Sequence, residues 1–479
     1  MTHSPSDATL SRRRSSGESL SNARRPSRQS LSSAAKLPDM WSTNSTASIG
    51  LLPGRRLLGP LFLMLTCPAF VIVFIYVLTE RHGSCSQLFE DIREDGILAT
   101  VYLMYNKPFD LRIWSVILGF AAFQLGLMWV VPGKPYRGPV TPKGNVPTYT
   151  ANGFQVYLIT MVAYLAGSGL GLYNLTFLYD NIAKLIACLN LFAISFCVFL
   201  YFKGICRPSS TDSGTTGNPI FDFYWGTELY PTFFGGTSIK HWTNCRLGMM
   251  FWPLYIVSCV AKQHQVFGYI SYSMYVNAGL QLIYLSKFFW WESSYLATID
   301  IMHDRAGFYI IWGILVWLPA TYTSHTTYLV LEPEGLSLIP ALAFALAGTA
   351  CILINWDVDD QRCEFRAKQG RLKIWGADPF FIEAKYRTDL GEVKTSLLLG
   401  SGYWGWCRHF NYLTELGAAA CWTLPVASRV LSPYFYLPYL VILLVDRAVR
   451  DDARCRSKYG KYWDRYCKHV PYLLIPNIW

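Results

Sequence analysis

The apolar residues of this chain come in blocks, near residues 57–78, 113–131, 153–173, 182–202, 247–261, 267–287, 307–331, 336–354, 412–430 and 433–445. A block of about 20 apolar residues is what an α-helix needs to cross a hydrocarbon core of roughly 30 Å. The fifth and tenth blocks are short, so the pattern predicts an all-α polytopic membrane protein of about ten transmembrane helices. Residues 1–48 contain hardly any apolar side chain, as in "SRRRSSGESLSNARRPSRQS". Such a segment cannot bury enough surface to offset chain entropy, so a disordered cytosolic arm is expected before a membrane domain at 49–479. Its Arg-Arg-x-Ser repeats suit phosphorylation or weak contact with anionic lipid, or simply a solvated tail that keeps the terminus in the cytosol.

Composition agrees with the pattern: 52% hydrophobic and 16% aromatic against 15% charged residues leaves too little polar surface to coat a soluble globule. The net charge of +11 does not point to nucleic acid, because the Lys and Arg residues sit in the arm and in alternate loops. With the N-terminus in the cytosol, the loops after even-numbered spans face the cytosol. Those loops carry Lys134, Arg137 and Lys143, then Lys203, Arg207, Lys240 and Arg246, then Arg362, Arg366, Lys368, Arg371 and Lys373, and finally the C-terminal tail. Both termini are therefore expected in the cytosol. The thirteen cysteines include no C-x-x-C pair and mostly lie in apolar runs, so they read as reduced packing residues rather than a metal site or disulfide framework. No internal repeat is visible, which argues against a transporter.

Ionisable residues near membrane depth are costly unless paired or used, and they gather in four places. In "NPIFDFYWGTELYP" at 218–231, Asp222 and Glu228 sit among aromatics in a cytosolic loop, either as a re-entrant or interfacial element or as solvated acids in an aromatic belt. In "TIDIMHDRAGFY" at 298–309, Asp300, His303 and Asp304 would share one face of a helix, as a proton relay or as a buried ion-pair knot with Arg305. A metal is disfavoured there, since no second His/Asp pair has ligand spacing. Arg362 and Arg366 stand one helical turn apart, a spacing suited to gripping phosphate. Downstream, Gly400, Gly402 and Gly405 fit G-x-G-x-x-G without a βαβ unit around them, so a Rossmann domain is rejected. Trp404, Arg408, His409, Asn411 and Tyr412 follow. In the tail, Arg447, Arg450, Arg454 and Lys458 make a basic stripe with Asp451 on its edge, followed by Tyr459 and Tyr466. A stripe of this kind is commonly a lipid-headgroup contact, which the acid and the two phenols do not require.

"GNPIFDFYWGTEL" and "LLVDRAVRDDARCRSKYG" resemble the two signatures of the sterol reductase family, which includes the sterol Δ14-, Δ7- and Δ24(28)-reductases and the lamin B receptor. The resemblance runs from about residue 50 to Trp479, and "HDRAGFY", "TNCRLGMM" and "KTSLLLGSGYWG" are nearest its 7-dehydrocholesterol reductase branch. It implies residence in the endoplasmic reticulum membrane, a sterol substrate within the bilayer, and NADPH in a cytosol-facing pocket of the C-terminal half, about residues 355–479. It further implies that Arg362, Arg366, Trp404, Arg408, His409, Asn411, Tyr412, Arg447, Asp451 and Tyr459 surround the cofactor, with Tyr466 near the hydride end. Tyr230, Pro231 and Thr232 depart from the family's usual Asn-Pro-Arg, and Asp446 stands where His is usual.

The implied reaction is reduction of the C7–C8 bond of a 5,7-diene sterol. A proton delivered to C8 leaves an allyl cation over C5 to C7, which a hydride quenches at C7, so the site needs an acid, a nicotinamide and a dry slot. Tyr466, Asp451, Asp300, His303 and Asp304 are the candidates for the acid and its relay. The alternatives are a Δ14-reductase of the same family, a prenylcysteine-type membrane methyltransferase, and a tether resembling the lamin B receptor. The methyltransferases are much shorter, and the arm has no room for the tether's folded reader module.

Overall fold

The computed structural model describes residues 57–104, 108–141, 143–333, 335–387 and 391–479, so the arm at 1–48 lies outside the described residues. Its helices follow the apolar blocks: α1 (Leu58–Glu80), α2 (Leu111–Val130), α3 (Gly153–Gly169), α4 (Ile182–Cys206), α5 (Met249–Phe267), α6 (Tyr272–Trp290), α7 (Leu338–Ala367), α8 (Phe410–Thr423) and α9 (Tyr436–Tyr459), with a short terminal α10 (Lys461–His469). Among the described residues four of these, α1, α2, α4 and α7, are long and apolar enough to cross a membrane. Most remaining blocks form shorter or interrupted helices, while α9 is 24 residues long with a charged second half. The seventh, expected as one span over 307–331, is broken into Phe308–Trp312, a π-helical stretch Gly313–Tyr322 containing Pro319, and Ser324–Leu329.

The all-α expectation needs correction, because two small antiparallel hairpins are present. Strands β1 (Lys134–Arg137) and β2 (Thr148–Ala151) pair in register Lys134 with Ala151, and β3 (Phe381–Arg387) and β4 (Val393–Leu399) pair Phe381 with Leu399. Alternating burial along β3, with Ile382 and Ala384 inward, explains how a sequence without a strong apolar block adopts strand. The thirteen cysteines are all free, as their placement in apolar runs implied.

Polar residues placed inside the bundle join elements rather than float. Asn190 on α4 donates to the Pro68 carbonyl of α1 (2.9 Å) and accepts from the Trp312 indole (2.7 Å), fastening three helical segments. Arg246, wholly buried, grips Glu292 through both terminal nitrogens and gives a further bond to Asn152 (2.8 Å). Glu292 also accepts from the Gly153 amide (3.0 Å) and meets His241 at 2.9 Å. His241, Cys245 and Glu292 bring three ligand-type atoms within 4.8 Å of one another, but the carboxylate is already bound by the guanidinium, so the cluster is an ion pair at a helix junction.

The 218–231 loop does not carry solvated acids, the second of the readings its sequence offered. It forms a short helix, Pro219–Trp225, capped by Asn218, and it is packed inside the protein. Asp222 and Glu228 are each 3% exposed, which rules out solvated acids: Asp222 accepts from the Thr216 amide (2.8 Å) and Glu228 from Lys203 (2.8 Å) and the Ser209 amide (2.5 Å). The loop turns at Gly226, φ +103°, where a Cβ would lie 2.6 Å from the Ala306 carbonyl carbon. Gly226 and Gly307 thus let two backbones touch and seat the loop against residues 303–309.

Because breaking a buried pair leaves an uncompensated charge, Arg246→Met is expected to lower stability by about 3–5 kcal/mol. Thermal unfolding of the detergent-solubilised protein would show this, and the double variant Arg246→Met/Glu292→Gln should recover part of the loss.

Candidate functional site

Helix α7 continues three turns past its apolar block and presents Asp359, Arg362 and Arg366 on one face. Asp359 Oδ1 accepts from Arg362 (2.8 Å) and from the Asn411 amide (3.3 Å), while the Arg362 guanidinium stacks 4.0 Å over the Trp404 ring. Trp404 is fixed in turn by its indole N–H on the Val358 carbonyl (2.8 Å). Gly402, with φ +63°, makes the turn that lets this happen, since a Cβ there would meet Gln361 Oε1 at 2.3 Å. The glycines at 400–405 therefore pack the turn after β4 onto α7, and no βαβ unit surrounds them, in line with rejecting a Rossmann domain.

The hairpin and α10 form the opposite wall. Arg366 Nε donates to the Leu397 carbonyl (3.2 Å), Tyr459 to Ser396 (3.3 Å), and the buried Tyr466 hydroxyl to the Leu399 carbonyl (2.9 Å). Burial pushes the Tyr466 phenol well above its usual range, although Arg362, Arg408 and Arg366 pull the other way. Tyr466 is thus protonated throughout the working pH range.

Helix α9 supplies the floor, and its basic stripe is split between two tasks. Arg447 binds Asp300 (2.7 Å) and Arg450 binds both Asp304 (3.2 Å) and Asp446 (3.0 Å). Arg454 binds Asp451 (2.5 Å), and Asp451 lies 3.5 Å from His409 Nε2. Burial alone would raise the Asp451 carboxyl, but Arg454 and His409 hold it well below the carboxylate range; Asp304 is held down against burial in the same way by Arg450 and His303. These acids are ionised anchors.

The expected helical face at 298–309 does not form. Helix persists only over Ile299–Met302, yet Asp300 and Asp304 still converge, because the loop is drawn onto α9 and fastened below by Lys240, whose ammonium donates to the carbonyls of Asp300, Ile301 and Asp304 (2.9, 2.7 and 2.7 Å). The knot expected with Arg305 is made by Arg447 and Arg450 instead, while Arg305 donates to the carbonyls of Gly214 and Thr227. His303 Nδ1 meets Asp304 at 3.0 Å, and Trp225 packs between His303 and Tyr309, bringing the first signature to the same place.

Arg408 has a different position from the neighbouring residues of the cluster. Its guanidinium donates to the carbonyls of Val470 and Pro471 (both 2.9 Å) and its amide to Tyr472, closing the C-terminal segment over the site. Tyr412 stacks on His409 at 5.0 Å among Arg447, Asp451, Asp300 and Asp359. Sequence reasoning missed Asp359 and Lys240. The first had a readable signal, three residues before Arg362; the second had none, since its partners are backbone carbonyls far along the chain.

The arrangement suits a phosphate-bearing ligand. Arg362, Arg366, Arg454 and Lys458 gather where α7, α9 and the hairpin meet, and among the described residues Arg366 makes no ion pair. Burial, then the charges of Arg454 and Arg366, push the Lys458 ammonium down to about 8. Cations that repel one another in a protein-lined recess form a site for an anion, and guanidinium forks match phosphate oxygens.

The model of the ergosterol biosynthesis ERG4/ERG24 family matches residues 58–479. The chain is 46% identical to a 7-dehydrocholesterol reductase of Arabidopsis thaliana over 88% of its length and 96% of that protein. It is 34% identical to a 7-dehydrocholesterol reductase of Danio rerio over 88% of the chain and 91% of that protein. With a Delta(14)-sterol reductase of Methylotuvimicrobium alcaliphilum it shares 36% identity over 76% of the chain and 81% of that protein.

Because Lys458 is charged below about 8 and neutral above it, anion affinity should fall as pH rises from 7 to 9.5. Inorganic pyrophosphate is expected to raise the unfolding temperature at pH 7, to do so less at pH 9.5, and to have little effect on an Arg366→Gln/Lys458→Gln variant.

Proposed function

The chain belongs to the ergosterol biosynthesis ERG4/ERG24 family, and from that membership we propose that it reduces the C7–C8 double bond of 5,7-diene sterols with NADPH. One observation carries the choice within the family. Identity to the Arabidopsis 7-dehydrocholesterol reductase is 46% along nearly the whole of both chains, against 36% over a shorter stretch for the bacterial Delta(14)-sterol reductase.

NADPH, when bound, supplies the hydride. Arg366 and Lys458, with Arg362 and Arg454 beside them, would hold its phosphates, and the surplus of cations beyond what a pyrophosphate needs would read the 2′-phosphate. Trp404, Asn411, Tyr412 and His409 would line the nucleotide, and Tyr459 and Tyr466 would close its far side. Arg447 and Asp451 would orient this wall through their ion pairs, and Arg408 would act from behind by holding the last residues in place.

The remaining task is a proton for C8. A carboxylate that accepts hydrogen bonds from a guanidinium is a poor donor, so Asp300, Asp304 and Asp451 would set geometry, while His303 and Tyr466 retain an N–H or O–H. The apolar bundle around them excludes the water that would trap the allyl cation. Endoplasmic reticulum residence with both termini cytosolic is consistent with the Lys/Arg loop asymmetry.

Yeast membranes containing the chain are expected to convert ergosterol-type or cholesterol-type 5,7-dienes to products lacking the C7–C8 double bond, read by mass spectrometry, and to leave 8,14-dienes essentially unchanged. Preference for the 8,14-diene would instead favour the Δ14 reaction. NADPH should support turnover at sub-saturating concentrations at which NADH does not, and Asn411→Ala should insert normally yet lose most activity.

A further inference from the structure

A cavity of about 410 Å³ opens among α2, α4, α5 and the segment that follows α3, and no residue of the anion recess or of the 298–309 loop lines it. Its floor is buried and comes from two π-helical segments. Leu247 and Gly248 end the first, His241–Gly248, while Leu315 and Pro319 belong to the second, Gly313–Tyr322. The segments meet so closely that a Cβ on Gly248 would lie 2.5 Å from the Ile314 carbonyl oxygen. Turns of this kind are rare and concentrate at functional sites, and here two of them build one wall. Arg112 and Leu172, both exposed, mark where the cavity reaches the surface.

Only three of the lining side chains carry a polar group, and two of them are occupied. The Tyr164 hydroxyl donates to the Leu175 carbonyl (2.9 Å) and the Tyr173 hydroxyl to the Tyr164 carbonyl (2.6 Å). The third, Arg112, rests its guanidinium 5.0 Å over the Phe177 ring, and among the described residues it makes no ion pair and no side-chain hydrogen bond. Its charged neighbours cancel each other. Asp110 accepts from the Arg112 and Ile113 amides (3.0 and 3.3 Å), and its other oxygen lies 3.6 Å from Lys184. Arg112 is thus the surplus cation at the mouth of an apolar chamber. A neutral hydroxyl finds no uncommitted side-chain acceptor there, whereas a carboxylate finds a guanidinium fork. The volume lies near the lower end of small-molecule sites, about 300–1,000 Å³, which suits one acyl chain rather than two. We infer that the cavity binds a long-chain fatty acid, with its carboxylate on Arg112 and its chain running to the two π-helical segments. This site stands independently of the reductase reading.

The test uses membranes containing the full chain and a long-chain fatty acid with a mid-chain diazirine, photolysed and mapped by peptide mass spectrometry. Labels are expected within residues 116–121, 247–254 and 315–319. Oleate should suppress them at a concentration about two- to fivefold lower than oleyl alcohol, the neutral molecule with the same chain, which is the advantage an exposed ion pair gives. Arg112→Gln, at an exposed position, should leave the unfolding temperature unchanged and erase that preference, while Arg112→Lys should keep it. Leu315→Trp, which fills the floor, should cut labelling roughly tenfold, since each displaced CH₂ costs about fourfold in affinity. Labels spread evenly over the outward-facing helices, equal suppression by oleyl alcohol, or stronger suppression by cholesterol or by diacyl phosphatidylserine than by oleate would each overturn the proposal. If Leu315→Trp fails to insert, the two Arg112 variants still decide it.

Discussion

Two guanidinium–carboxylate pairs, Arg447 with Asp300 and Arg450 with Asp304, join a loop in the middle of the chain to the last long helix. Everything that makes the C-terminal half a site depends on this joint. It pulls residues 298–309 out of helix, brings Trp225 and the 218–231 segment against Tyr309, and fixes the rotation of α9 so that Asp451 and Arg454 face His409 rather than lipid. The second pair is affordable because His303 and Asp446 complete the shells of Asp304 and Arg450, while Lys240 donates to the carbonyls beneath the loop. Breaking one member would leave the other charged and enclosed, which is why such a joint holds one geometry rather than several.

Much of this was legible beforehand, and the reason is periodicity. Apolar blocks of spanning length give helix positions directly, and the three-and-four spacing of Arg447, Arg450, Arg454 and Lys458 gives one face of α9. Pattern cannot say what that face meets. The stripe reads as a single basic surface, whereas its upper half pairs with acids from the 298–309 loop and its lower half, where Arg454 holds Asp451, gathers with Arg362 and Arg366 at the recess. The mistakes fall where tertiary partners override local preference. "TIDIMHDRAGFY" has helical spacing but ends its helix at Met302, and Asp222 and Glu228, for which the sequence left a solvated reading open, are buried on backbone amides and a lysine.

The hairpin illustrates a different limit. Residues 381–399 carry no strong block, so an apolar-block search passes over them, but the alternation of inward Ile382 and Ala384 with outward Glu383 and Lys385 is that of a strand with one covered face. Its function is to offer carbonyls at fixed positions. Leu397 and Leu399 accept from Arg366 and Tyr466, so the hairpin positions one cation and one phenol without contributing a charged side chain to the recess.

Charge is distributed by depth, and the chemistry follows from that distribution. Where the ends of α7 and α9 meet the hairpin, Arg362, Arg366, Arg454 and Lys458 gather, with Asp359 and Asp451 paired to two of them, which suits a multiply charged ligand arriving from water. Deeper in the bundle neutral hydrogen bonds take over: the Trp252 indole donates to Gln281 (2.8 Å) and the Asn277 amide to the Trp422 carbonyl (2.7 Å). An apolar bundle that makes an isolated charge expensive thereby places its clustered cations where an anion arriving from water can reach them.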